Sequence, residues 1–376
     1  MICFMAWFVA AWSCLLVVVM VSSMRLSRSA SSSCGSSCGH GGHGGWGPRS
    51  YPVIGCLVAF YRNRRRLLDW YTEMLAASPS QTIVVDRLGA RRTVVTANPA
   101  NVEHILRARF ANYPKGKPFT DVLGDLLGMG IFNVDGELWH AQRKLVSHEF
   151  SARALRDLEA QVLDEIAATR RARGAGEEGG DDGEGEGLDL DDYRRMRVLH
   201  AALCETMRLY PPVAWDSKHA AADDVLPDGT AVGRGDRVTY FQYGMGRMEA
   251  IWGADAADFS LDRWLSLPRG GGDGAAAASP AAAAFAGVSP FKYPVFQGGP
   301  RTCLGKEMAF VQMKFVASAV LRRFELRPVD EGRTPAFVPL MTAHMAGGLN
   351  VTVRRRTPAP ATSTATNGTG GELTSS

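Results

Sequence analysis

The first 24 residues carry no charged side chain, and over the whole 376-residue chain the charge balance is slight, 42 Lys+Arg against 38 Asp+Glu for a formal +4. So small an excess gives no ground for a nucleic-acid-binding role. Cysteine is sparse as well. Cys3, Cys14, Cys34, Cys38, Cys56, Cys204 and Cys303 are odd in number and widely spread, which excludes the dense disulfide framework of a small secreted domain and suits a reducing compartment. No segment repeats at a fixed period, so a solenoid is excluded. What is present, 46% hydrophobic, 21% charged and 9% aromatic residues, describes a chain able to bury a large core, as one large domain or two ordinary ones.

The uncharged start is almost wholly apolar from Phe4 to Val21, long enough as a helix to cross a hydrocarbon core. Residues 1–24 are therefore expected to form one transmembrane anchor. A cleaved signal peptide is the competing reading, but no basic residue precedes the run and the run exceeds a usual h-region. Arg25, Arg28, Arg49, Arg62, Arg64, Arg65 and Arg66 follow it, so the positive-inside bias puts everything after residue 24 on the cytosolic face. Residues 25–50 are a Ser/Gly-rich linker stiffened at its end by Pro48 and Pro52, as such compositions cannot pack a core. Cys34, Cys38, His40 and His43 inside it have the residue types of a zinc site, yet the flanking glycines supply no supporting shell, and a flexible tether is the plainer reading. The body spans 51–356, interrupted by an acidic Gly-rich loop at 174–192 and a Gly/Ala tract at 270–284, both read as solvated surface segments, and 357–376 reads as a disordered tail.

Chemistry concentrates near the C-terminal end. The string Phe296-Gln-Gly-Gly-Pro-Arg-Thr-Cys-Leu-Gly305 leads into apolar residues at Leu304, Met308, Val311 and Phe315, a spacing that predicts a helix beginning at Cys303. A thiol at a helix N-terminus is favoured as thiolate by the dipole and the free amide groups, and a thiolate binds metal. Gly299 and Gly305 let the backbone approach a flat ligand, and Phe296 can lie against its face. Inert packing is the bland alternative for the thiol taken alone. Elsewhere Glu205 and Arg208 stand three apart on a helix stopped by Pro211, and Trp139 and Arg143 stand four apart on another. Both spacings put the partners on one helical face and are common on ordinary solvated helices.

The string from Phe296 to Gly305 resembles the haem-ligand signature Phe-x-x-Gly-x-Arg-x-Cys-x-Gly of the cytochrome P-450 superfamily at all five fixed positions. The resemblance implies a mainly α fold with a small β portion, Cys303 as the axial thiolate on the iron of haem b, and Arg301 on a haem propionate. A thiolate ligand pushes electron density onto iron and favours O–O cleavage. The Glu205–Arg208 helix, ending in Leu-Tyr-Pro-Pro, resembles the family's Glu-x-x-Arg helix, whose arginine partner matches Arg263 in Phe259–Trp264. Leu261 stands there in place of the usual proline. Trp139 and Arg143 resemble the family's propionate helix, which implies a charge-assisted bond from Arg143. Gly47–Gly55, Leu67–Tyr71, Asp223–Gly229, Met245–Glu249 and Lys306–Lys314 look like the plant fatty-acid omega-hydroxylases. That branch implies a fatty-acid-like substrate, O2, electrons from NADPH through a flavoprotein reductase, and an endoplasmic-reticulum membrane location. Lys292, Arg301, Lys306 and Lys314 are expected near the proximal face, where they would steer an acidic reductase.

One departure is large. The family's long distal helix carries an Ala/Gly-Gly-x-Asp/Glu-Thr-Thr motif between the Trp139 and Glu205 helices, and no such motif exists in this sequence, where 66 positions separate Trp139 from Glu205. The fold is thus expected to be internally truncated, with the junction near Asp192 and Tyr193. The missing acid and threonine deliver protons to bound dioxygen in the family, so no catalytic residue is assigned here. The alternative to a working monooxygenase is a catalytically dead, membrane-anchored haem-binding protein or a shortened product of the gene.

Overall fold

The computed structural model describes residues 46–151, 153, 154, 156, 190–266, 284–332 and 336–356. The expected anchor, most of the linker with its Cys/His set, most of the acidic loop and Gly/Ala tract, and the C-terminal tail lie outside the described residues. Among the described residues no helix is long and apolar enough to cross a membrane, and none of the His, Cys, Asp and Glu side chains gather into a group that could hold a metal ion.

Helices dominate, with one sheet as their platform. Helices α1 (Leu57–Asn63) and α2 (Leu67–Ala77) precede β1 (Thr82–Val85) and β2 (Thr93–Thr96), followed by α3 (Pro99–Glu103), α4 (Lys117–Leu127) and α5 (Gly136–Ser147). Beyond the acidic tract come α6 (Leu190–Arg195) and α7 (Arg197–Leu209), then β3 (Asp216–His219) and β6 (Arg237–Tyr240), with the small ladder β4 (Asp224–Val225) and β5 (Ala231–Val232) between them. The short α8 (Gln242–Met245) and α9 (Glu249–Trp252) lead to α10 (Lys306–Arg323), the longest helix described. The main sheet has the order β1-β2-β6-β3, antiparallel at both edges and parallel between β2 and β6.

β1 and β2 read Thr-Ile-Val-Val and Thr-Val-Val-Thr. These β-branched runs are stiff at χ1 and suit a sheet covered on both faces, and all four residues of β2 are buried. The buried hydroxyls are paired: Thr82 and Thr96 lie 2.9 Å apart, and the Asn101 amide on α3 donates to both at 3.0 Å and to Asp228 at 2.7 Å. Asp228 and the left-handed Gly229 form the turn between β4 and β5, so an Asp-Gly turn is pinned to the sheet by its own carboxylate.

Three boundaries read from the sequence move. Trp46 accepts the Val84 amide at 2.7 Å, and a Cβ on Gly47 would sit 2.1 Å from the Val84 carbonyl, so the packed body is under way by Trp46, before the linker's expected end at residue 50. Residues 190–192, assigned to the acidic loop, open α6. Ala284, assigned to the Gly/Ala tract, pairs with Ser266 in the ladder of β7 (Leu265–Ser266) and β8 (Ala284–Phe285).

A large apolar cluster joins the sheet to α2 and α3 through Leu75, Ile83, Val94, Val102, Val238 and Phe241. A smaller one holds Ala201, Cys204 and Met207 of α7 against Trp264 and Phe310 of α10. α10 buries only Phe310 and Lys314 among its 18 residues, while Val316 and Leu321 are exposed. The expected stripe Leu304, Met308, Val311, Phe315 is met in part: its members are half-buried and the Phe315 ring lies 5.9 Å from that of Tyr193 on α6, but the helix starts at Lys306, three residues after Cys303, and the fully buried positions are Phe310, stacked on His200 of α7, and Lys314.

Candidate haem-binding loop and its supports

Cys303 lies in a loop held from several directions. Its amide donates to the Phe296 carbonyl at 2.8 Å, closing the loop at its base, and its side chain is exposed. Phe296 turns its ring to Phe310 at 5.2 Å, so in this packing it props the loop against α10. Gly299 has φ +64°, and a Cβ there would come within 2.0 Å of the Leu106 carbonyl. Its demand for glycine therefore arises from the segment His104–Ala108 behind it, a reason different from the ligand approach expected from the sequence. At Gly305 an added Cβ would make only ordinary contact with the Phe150 ring, at 3.5 Å.

Helix α5 supplies the other wall. Trp139 is buried in the first turn of the helix, the Arg301 guanidinium lies 4.5 Å from its ring centroid, and Arg143 donates to the Thr302 carbonyl at 2.5 Å. The i, i+4 spacing thus brings both side chains to the Cys303 loop. Arg301 donates to the Val134 carbonyl at 2.8 Å and to the Asp135 carboxylate at 2.6 Å. Arg143 pairs with no carboxylate among the described residues. Burial lowers its pKa, and the nearby Cys303 opposes that shift. A partly desolvated guanidinium beside a thiol, without an acidic partner, offers an unspent donor set for an anionic group.

Asp135 escaped the sequence reading. Standing before Gly136 it has the type of a helix N-cap, yet its side chain caps nothing in α5: the carboxylate takes Arg301 and the amides of Lys115 at 3.1 Å and Gly116 at 3.2 Å. Lys115 escaped as well. Its ammonium donates to the Phe132 carbonyl at 2.6 Å, and burial, reinforced by Lys218, lowers its pKa to about 8. No local pattern signals either residue, since each is brought in by chain packing over long separations.

Glu205, Arg208 and Arg263 meet in full. Arg208 makes a two-pronged pair with Glu205, 2.7 Å at each contact, with both side chains completely buried. Glu205 also accepts from the Ser260 amide at 2.8 Å, the Trp264 indole at 2.9 Å and Arg263 at 3.3 Å. Arg208 reaches on to the carbonyls of Gly246, Ala256 and Asp258. Burial pushes the Glu205 carboxyl up, but the bonds from Arg208, Ser260 and Trp264 outweigh it and hold its pKa below the ordinary value. This knot ties α7 to the segment 246–264 and contains no group free to react.

The expected docking set changes. Lys314 is buried and donates to the Tyr193 carbonyl at 2.7 Å, its pKa lowered by burial, so it cannot face a partner. Arg301 is committed to Asp135, and Lys292 lies 4.5 Å from the Trp252 ring centroid. Lys306 stays exposed.

Comparison with known proteins bears on most of the chain. The family model described as Cytochrome P450 matches residues 46–173 and 180–347, breaking inside the acidic tract and upstream of the Asp192–Tyr193 junction expected above. Cytochrome P450 94B3 and cytochrome P450 94B1 of Arabidopsis thaliana are each 39% identical, the first over 83% of this chain and 92% of its own, the second over 82% and 91%. Cytochrome P450 94A1 of Vicia sativa is 27% identical over 82% of this chain and 90% of its own. The alignment to 94B3 runs over 476 positions, more than the 376 residues available here, so that relative carries a stretch this chain lacks. Among solved structures, the crystal structure of the cytochrome P450DA heme domain is similar at a TM-score of 0.63 with 15% identity, covering 83% of this chain and 97% of that one, a likeness of fold alone.

Proposed function

The chain belongs to the cytochrome P450 family of haem-thiolate monooxygenases, and on that premise we propose that residues 51–356 bind haem b through Cys303 and hydroxylate a fatty-acid-like substrate. The observation that carries this reading is the convergence of an exposed Cys303 thiol with Arg143, which has no acidic partner among the described residues. Those residues would fit the group: the exposed Cys303 thiol would ligate iron, Arg143 would hold one propionate, Arg301, whose contacts with Val134 and Asp135 are both made by Nη2, would use its remaining N–H groups for the other, Trp139 would back Arg301, and Phe296, Gly299 and Gly305 would shape the loop. When bound, haem supplies the dioxygen activation by which such enzymes insert one oxygen atom at an unactivated carbon. The protein's own share is to keep Cys303 in its loop through the Phe296 carbonyl, to anchor α5 on Thr302, and to hold the supporting segment in place through Glu205, Arg208 and Arg263. Electrons would come from NADPH through a flavoprotein reductase. Residues 1–24 would anchor the protein in the endoplasmic reticulum with the body in the cytosol, 25–50 serving as linker.

The second reading is a haem-binding protein without turnover. It is favoured by the stretch the relatives carry and this chain lacks, and by two apolar side chains of α10 left exposed, Val316 and Leu321. Purified full-length chain, reductase, NADPH and a long-chain fatty acid separate the two. Hydroxylated product supports the enzyme, whereas NADPH oxidised into peroxide with no product rejects it in favour of the second reading.

A further inference from the structure

Gln297, the residue after Phe296 in the Cys303 loop, has φ +63° and ψ −178°. That region is open in practice to glycine alone, so a glutamine held there costs free energy that its surroundings must return. The rotation has a local consequence. The carbonyl just before it belongs to Phe296 and accepts the Cys303 amide at 2.8 Å, so φ at Gln297 aims the acceptor that closes the loop.

What holds Gln297 lies in the main sheet. The hydroxyl of Tyr240, fully buried at the end of β6, meets the Gln297 side-chain amide and donates to Asp216 on β3 at 2.7 Å. Asp216 stands directly opposite Tyr240 in the antiparallel pair of β3 and β6, so strand register brings phenol and carboxylate together. Lys218, also buried, donates to the same Asp216 oxygen at 2.9 Å. Burial pushes the Asp216 carboxyl up, but Lys218 and Tyr240 outweigh it and bring its pKa down to about 2. A hydrogen bond to an ionised carboxylate is among the stronger ones and fixes the phenol. The other side chains gripping this loop are Arg143 on Thr302 and Arg301 on Asp135, both proposed above to serve haem as well. Gln297 has no such second duty. We propose that Gln297 is a positioning residue for the Cys303 thiolate: its amide, set on Tyr240 and through it on Asp216 and Lys218, holds the strained turn that places the loop against the main sheet. The inference rests on the haem-thiolate reading and adds to it a residue outside the set proposed to contact haem.

The test compares the full chain with Gln297→Gly, Tyr240→Phe and the two together, by hydrogen exchange of the Cys303 amide, by urea midpoint and by the carbon monoxide difference spectrum. Glycine adopts the turn without strain, so Gln297→Gly should leave the urea midpoint where it is or raise it. Exchange at Cys303 should nevertheless quicken about tenfold, as for the loss of one hydrogen bond. A smaller share of the bound haem should give the red-shifted Soret band of a thiolate ligand. Tyr240→Phe should match these losses at the loop, and the double variant should add nothing to either single one, because both remove the same contact. Should Tyr240→Phe fail to fold, Gln297→Gly alone decides. Unchanged exchange and spectrum in Gln297→Gly overturn the inference. So does a lowered urea midpoint, or faster exchange with an unchanged spectrum, each of which makes Gln297 a structural residue only. In all these cases the parent chain still shows its red-shifted band and the haem-thiolate reading stands; a parent chain without that band overturns both.

Discussion

Replacing Glu205 by Ala should be among the most destabilising single changes available to this chain. The carboxylate accepts five hydrogen bonds, two of them from Arg208, and both side chains of that pair have no solvent exposure. Removal leaves the Arg208 guanidinium buried with only the carbonyls of Gly246, Ala256 and Asp258 around it, and leaves the Trp264 indole and Ser260 amide without their acceptor. An uncompensated buried charge of this kind costs about 3–5 kcal/mol. Urea unfolding followed by tryptophan fluorescence reads the change directly, Trp264 being part of the knot. Because the two residues act as one unit, Glu205→Ala with Arg208→Ala should cost less than the two single changes added, by about 0.5–3 kcal/mol of coupling. A Glu205→Ala cost within about 0.5 kcal/mol of zero, the range of a solvated surface pair, would refute the reasoning.

His200 lies between Phe310, ring centroids 4.1 Å apart, and Phe285, and burial with Lys314 and Lys306 lowers its pKa from 6.5 to about 4. Since the unfolded chain then binds this proton more readily, the contribution is complete above about pH 6.5 and is lost as pH falls toward 4, to the extent of about 2–3 kcal/mol; His200→Phe should flatten the urea midpoint between pH 6.5 and 4, and an unchanged slope would count against the assignment. Gly299→Ala, at φ +64° with the new Cβ 2.0 Å from the Leu106 carbonyl, should lose about 2 kcal/mol or more of stability, visible as a lower melting temperature. Arg143→Ala should reduce the haem retained per chain severalfold during gel filtration, and equal retention would remove Arg143 from the site. Transcripts read across the codons of residues 174–193, which span both the break in the family match and the junction expected near Asp192 and Tyr193, should include a longer form restoring the absent stretch; finding the present sequence there as the only mature message would contradict a shortened product.

Much of the site was legible because its residues are close in sequence. The loop from Phe296 to Gly305 and the pairs Trp139/Arg143 and Glu205/Arg208 each sit within one turn or one loop, where spacing alone brings side chains together. Arg263 was reached only through the family resemblance, since it meets Glu205 across 58 positions. Asp135 and Lys115 were not legible, their partners lying 166 and 17 positions away in segments with no shared pattern. Lys314 misled because a lysine on an amphipathic helix normally reads as solvated, whereas here its ammonium is drawn under α6 to the Tyr193 carbonyl. The apolar stripe on α10 was legible only in part: Phe315 does reach Tyr193 of α6, but periodicity did not show that Phe310 and Lys314 would be the most deeply buried, which is decided by what lies opposite, here α6 and α7. The strands were the least legible elements, since two to five residues are too few for alternation to declare itself, and β2, buried throughout, has none.

The carbon monoxide difference spectrum of the reduced, full-length chain tests most directly whether Cys303 carries a haem. The account predicts a strongly red-shifted Soret band, the mark of a thiolate-ligated iron, that disappears in Cys303→Ala. Absence of that band from folded chain, or its persistence in Cys303→Ala, would contradict it.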